Sequence, residues 1–162
     1  AVQSNSGNIV LHTANGGVRK PNNPCFQAVV NSGTHPSSSS YIVYGSVDVN
    51  VGSHYNSSNG IFTAPVAGVY LFHISAIAHN NSSTVFRYYL RINNGNTGSG
   101  NDAHLRLDMS NDDNDYAPNA SFTYYKYMNV NDTARVYYYS DNNSASSYSN
   151  ADYMKFAGHL VG

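Results

Sequence analysis

Apolar residues recur at every second position through most of this sequence, and runs of Asn, Ser, Asp and Gly break the pattern at short intervals. A strand turns successive side chains to opposite faces, so the pattern describes half-buried β-strands joined by turns. It predicts strands over residues 25–30, 41–51, 60–63, 68–79, 85–92, 102–109, 121–130, 133–140 and 153–161. In 85–92, Phe86, Tyr88, Leu90 and Ile92 share one face while Arg87 and Arg91 share the other. Residues 31–40, 80–84, 93–101, 110–120 and 141–151 are the turn-rich connections, the places where binding usually resides on a rigid scaffold.

Composition agrees with an all-β domain. The chain holds 15 Tyr and no Trp, its nine acidic residues are all Asp, and 162 residues suffice for one domain with a sizeable core. A net charge of −1 with only 10% charged residues argues against nucleic acid as a partner. No apolar run is long enough for insertion into a membrane as a helix. Cys25 is the sole cysteine and excludes a disulfide within the chain. The polar stretch Ala1 to Gly7 lacks the basic end of a signal peptide. Residues 1–23 read as a lead-in or stalk junction and 24–162 as the ordered domain, with Gly16-Gly17 and Pro21-Asn22-Asn23-Pro24 as punctuation.

Segment 68–79 departs from simple alternation. Tyr70, Phe72, Ile74, Ala76 and Ala78 form one apolar face; Val69, Leu71 and Ile77 form a second, broken by His73 and Ser75. An antiparallel strand with one wet face does not need two apolar ones. Either another element of the chain or another subunit must cover the second face, and Val69, Leu71, His73 and Ile77 are expected to be an interface in an oligomer. A His at that place would make assembly sensitive to pH. The Tyr-rich strands 121–127 and 137–139 raise the same expectation.

Tyr44, Asn50, Tyr55, Phe62, Gly68, Tyr70, Phe72 and Ile74 keep a fixed spacing that resembles the C1q domain pattern. Tyr44 stands where Phe is usual in that pattern, and Ile74 where Phe or Tyr is usual. The string from Gly60 to Phe72 and the closing stretch Lys155 to Val161 are similar to the same family. The resemblance covers about residues 24–162. It implies a ten-stranded jelly-roll sandwich of C1q/TNF type, assembled as a homotrimer, without enzymatic activity. The junction from Asn8 to Phe26, followed by such a domain, resembles the C-terminal end of marine phage tail fibre proteins. That likeness implies a receptor-binding tip on a virion, attached to a bacterial surface glycan or protein. A secreted C1q-domain lectin and a purely structural trimerisation cap are the alternatives.

Candidate chemistry is sparse. Asp108, Asp112, Asp113 and Asp115 cluster, and clustered oxygen ligands suit calcium. The spacing is not an EF-hand, however, and a solvated acidic loop is the simpler reading of Asp112, Asp113 and Asp115. No other cofactor is indicated. The seven His show no zinc spacing. No serine lies in Gly-x-Ser-x-Gly, and the Gly95–Gly100 run lacks the Lys-Ser/Thr of a phosphate loop. Tyr116 and Tyr148 stand beside Asp and Asn in polar loops, where each either anchors its own loop, the simpler reading, or serves a ligand. Asp112, Asp113, Asp115, Tyr116, Asn142, Asn143 and Tyr148 are the candidate ligand-binding positions, a tyrosine plate with hydroxyl-binding neighbours suiting a sugar. Arg87, Arg91, Arg106 and Arg135 fall on polar strand faces, either solvated or ion-paired, or forming an anion or glycan site.

Overall fold

The computed structural model describes residues 23–31, 39–77, 86–95, 102–107, 119–140 and 150–162, with 102–107 and 120 as backbone only. Its strands are β1 (Cys25–Val29), β2 (Ser40–Tyr41), β3 (Ser46–Val51), β4 (Tyr55–Asn56), β5 (Ile61–Thr63), β6 (Gly68–Ile77), β7 (Phe86–Ile92), β8 (Asp102–Leu107), β9 (Asn119–Met128), β10 (Thr133–Ser140) and β11 (Lys155–Leu160). They form two antiparallel sheets. One has the order β3-β1-β11-β6-β9; the other has β4-β5-β10-β7-β8, with β2 added beside β10. This is an all-β jelly roll, and the described residues contain no helix.

Eleven strands are present among the described residues where ten were expected. The expected strand 41–51 divides into β2 and β3, which lie in different sheets. Between them Ile42 and Tyr44 are fully buried and Val43 is exposed, so the alternation continues where the ladder does not. Tyr55–Asn56, a two-residue strand, was not anticipated.

The core lies between the sheets. Phe156 from β11 packs against Phe26, Tyr44, Tyr55 and Phe72, at ring-centroid distances of 4.8, 5.7, 6.1 and 6.0 Å. Phe26 stacks on Tyr55 at 4.7 Å and on Phe62 at 4.9 Å. Each such ring stabilises the fold by about 1.5–3 kcal/mol when fully removed from water.

The spacing around residue 50 has a local cause. The Asn50 side chain donates to the Tyr55 carbonyl at 2.8 Å and accepts from the Tyr55 N–H at 3.1 Å, closing the turn between β3 and β4. Tyr55 in turn donates its hydroxyl to the Tyr44 carbonyl at 3.0 Å. The Tyr70 hydroxyl reaches the Val66 carbonyl at 2.8 Å and ties the start of β6 to the preceding turn. The motif residues thus form one connected unit of rings and backbone clamps.

Tyr44 is the exception within that unit. It is wholly buried, and its hydroxyl has no hydrogen-bond partner among the described residues. Burial first, then the nearby Tyr88 and Tyr55 phenols, hold its pKa well above the ordinary tyrosine value. A buried hydroxyl without a partner costs free energy that a ring lacking it does not incur. Tyr44→Phe is expected to keep stability or raise it by about 1 kcal/mol. Urea denaturation checks this, and a loss of comparable size would reveal a partner for the hydroxyl.

A second clamp sets the register of β7 against β10. Asn93, at a φ of 53°, accepts the Thr133 N–H on its side-chain oxygen at 2.8 Å and donates to Asp132 at 2.7 Å. Asp132 also accepts the Asn129 N–H at 2.7 Å. The Asn93 amide, then the Asn129 N–H, hold the Asp132 carboxyl below the usual carboxylate range. A slip of one residue between these strands would turn every side chain to the wrong face.

Candidate functional site

The outward faces of the two sheets differ in chemistry. On the five-stranded sheet, β6 pairs with β9 so that Val69 stands opposite Tyr127, Leu71 opposite Tyr125, His73 opposite Thr123 and Ser75 opposite Ser121. Tyr125 and Tyr127 are 63% and 60% exposed, while Val69 and Leu71 are half-buried. Farther across the sheet, Val49 is exposed. One end of this face is therefore apolar and aromatic. The other end is polar: His73 Nδ1 lies 3.3 Å from Thr123 Oγ1, and Ser75 donates to the Tyr153 carbonyl at 2.7 Å. His73, Ser75, Ser121, Asp152 and Lys155 border a cleft of about 340 Å³ there.

Ile77 does not belong to this face. It is buried in the core cluster of its own chain, as is Ala76 beside it. The Ile77 carbonyl accepts the hydroxyl of Tyr88 from the facing sheet at 3.1 Å. The end of β6 is thereby drawn into the sandwich and the alternation ends. The expected interface strip reduces to Val69, Leu71 and His73, extended by Tyr125 and Tyr127.

The other outward face is built from β2, β7 and β10. Arg87, Tyr89 and Arg91 alternate with the core residues of β7, and Arg135, Tyr137 and Tyr139 alternate with those of β10. The register sets Arg91 opposite Arg135, Tyr89 opposite Tyr137 and Arg87 opposite Tyr139. Guanidinium groups lie over rings: Arg135 over Tyr41 at 3.1 Å, Arg91 over Tyr137 at 3.6 Å and Arg87 over Tyr139 at 5.3 Å. Such contacts stabilise by about 0.5–2 kcal/mol each. Arg91 is only 8% exposed and so is not the solvated side chain that its place on a polar face suggests. Ser39, Arg87, Tyr89, Arg91, Tyr137 and Tyr139 border a cleft of about 430 Å³.

Asp108, Asp112, Asp113, Asp115, Tyr116, Asn142, Asn143 and Tyr148 lie outside the described residues. Among the described residues, no group of three His, Cys, Asp or Glu side chains is arranged to hold a metal. The tyrosines of the Arg-lined face were readable as outward positions from the alternation of β7 and β10. Their meeting with Tyr41 was not.

The C1q domain model matches residues 25–161. Over 56 residues the chain is 40% identical to human complement C1q tumor necrosis factor-related protein 3, and equally to the mouse protein, across 35% of this chain. The matched stretch spans 22% of the length of those relatives. The structure is similar to the globular domain of zebrafish complement 1qA, with a TM-score of 0.67 and 15% identity, over 86% of this chain and 98% of that one. It is also similar to an Eiger TNF from S. frugiperda, with a TM-score of 0.63 and 10% identity, over 86% and 93% of the two chains. For murine APRIL the TM-score is 0.62 at 13% identity, over 86% and 99%. At these identities the structural likenesses speak for the fold. With a family match over nearly its whole described length and a jelly roll of the same type, this chain belongs to the C1q domain family.

Proposed function

We propose that the chain is a non-enzymatic homotrimeric recognition module, in which three copies bury the outward face of the five-stranded sheet and present the other sheet to a partner. The observation that carries this reading is the strip Val69, Leu71, Tyr125 and Tyr127. Monomers avoid a contiguous apolar strip of this kind on a sheet face. A second and third copy of the chain, as the family resemblance implies, would cover it.

Leu71→Asp is the test. A carboxylate there would be buried at the interface without a partner, at a cost of about 3–5 kcal/mol. The expected result in light scattering is a trimeric parent and a monomeric or aggregated variant. Arg87→Gln, on the opposite outward face, is expected to remain trimeric. A monomeric parent, or a Leu71→Asp protein that remains a stable trimer, removes this reading.

The setting proposed for the trimer is the tip of a phage tail fibre, attached to a bacterial surface glycan or protein. The resemblance of the junction from Asn8 to Phe26 to tail fibre ends supports it. The likeness to the human and mouse C1q-type proteins supports a second setting, a secreted C1q-domain lectin. Labelled trimer applied to intact bacteria and to animal cells separates the two, and binding to neither leaves a structural cap.

A further inference from the structure

Four of the arginines stand on three adjacent strands: Arg87 and Arg91 on β7, Arg106 on β8 and Arg135 on β10. The register sets Arg135 opposite Arg91 and Arg106 opposite Arg87. Like charges directly opposite each other destabilise a sheet, so folding alone disfavours this arrangement. The rings of Tyr41, Tyr137 and Tyr139 offset part of the repulsion, because their faces are electron-rich. They do not supply a negative charge. The Nε groups of Arg87 and Arg135 are buried and have no hydrogen-bond partner among the described residues. Buried donors of a charged group ordinarily have one. One carboxylate, Asp102, stands in register opposite Arg91, against four guanidinium-bearing positions.

The lining of the adjoining cleft narrows what would complete the site. Ser39, Tyr89, Tyr137 and Tyr139 bring hydroxyl groups and Arg87 and Arg91 bring guanidinium groups; among the described residues no aliphatic or acidic side chain borders the cleft. Guanidinium groups take a carboxylate or sulfate through paired N–H donors. Hydroxyl groups and tyrosine rings match the hydroxyls and C–H faces of a sugar, whereas an apolar peptide side chain would find no aliphatic wall among the described residues.

We infer that this outward face of β7 and β10 binds an acidic saccharide, with Arg87 and Arg91 holding its carboxylate or sulfate and Tyr89, Tyr137 and Tyr139 holding the sugar ring. The inference rests on the recognition-module reading and names its ligand class. It does not depend on the trimer, because the two sheets of a sandwich turn their outward faces in opposite directions.

Calorimetric titration of the intact protein tests it with four probes: a tetragalacturonate, a sulfated galactan tetrasaccharide, the unsulfated galactan tetrasaccharide and tetraglutamate. At least one acidic sugar is expected to bind, with affinity that falls as salt rises. The neutral sugar and the peptide are expected to bind about tenfold more weakly or worse. Arg87→Gln is expected to lower the affinity about tenfold or more, with the scattering mass of the parent unchanged and a melting temperature within a few degrees of it, since the variant loses one ring contact and one like-charge opposition. Arg91→Gln, at the other guanidinium group that holds the anion, serves as the second variant should Arg87→Gln fail to fold. The two acidic arms tell carboxylate from sulfate. The site is overturned if neither acidic sugar binds the parent, if the neutral sugar or tetraglutamate binds equally well, or if both variants bind as the parent does. A change in light-scattering mass alone bears on the trimer and leaves this result intact.

Discussion

Phe156→Ala is expected to lower stability by about 3–5 kcal/mol, the range for deleting a buried aromatic ring from a packed core. Phe156 is fully buried and lies within ring contact of Phe26, Tyr44, Tyr55 and Phe72. These rings come from β1, β6, β4 and the segment between β2 and β3, so the cavity would lie where both sheets meet. Their mutual packing leaves little freedom to collapse into the space, because each ring is held by another. The loss is a large fraction of the stability of an ordinary domain, about 5–15 kcal/mol. For a chain of this size it corresponds to a fall in melting temperature of roughly 6–20 °C. Calorimetry at one fixed chain concentration reads it, since assembly of copies would make the melting temperature depend on concentration. A change below about 1 kcal/mol would mean that the site refills, contrary to the packing argument.

Gly60→Ala is expected to be nearly as damaging for a different reason. Gly60 precedes β5, has a φ of 73° and donates its N–H to the Asn56 carbonyl at 2.9 Å. An L-residue in that conformation costs about 1–2 kcal/mol. A Cβ at Gly60 would also sit 2.6 Å from the backbone carbonyl oxygen of Ile42, a group that cannot rotate away. Moving that backbone would disturb the buried Ile42 side chain, adding roughly 1–3 kcal/mol. The expected total is therefore about 2–5 kcal/mol by urea denaturation. Gly162→Ala is the matched control, since a Cβ there meets nothing within 4 Å. Equal stability of the two variants would show that the turn before β5 relaxes without resistance.

The contrast between β7 and the segment 41–51 shows what an alternating pattern reports. In β7 the pattern named both the buried set, Phe86, Tyr88, Leu90 and Ile92, and the outward arginines. In 41–51 it continued through Ile42, Val43 and Tyr44, although the chain there is crossing from one sheet to the other. Alternation follows burial, and burial persists across a crossing that the hydrogen-bond ladder does not survive. Ile77 is the opposite case: its place in the alternation points outward, yet it is buried in the core cluster and its carbonyl accepts the Tyr88 hydroxyl.

By itself the sequence determined the all-β class, the core faces of β7 and of β6 as far as Ala76, and the family, because these depend on local periodicity and on residues at fixed spacing. Asn50 and Tyr70 act on neighbours five and four positions away, and Tyr55 on one eleven away, so spacing along the chain reflects their roles. Only the tertiary structure decided which strands lie side by side. Arg91 and Arg135 are far apart in the chain and face each other because β10 pairs with β7; Tyr41 joins them because β2 pairs with β10. Period two says which way a side chain points, but it carries no information about the neighbouring strand. A site made across three strands therefore exists only once long-range pairing has closed the sheet.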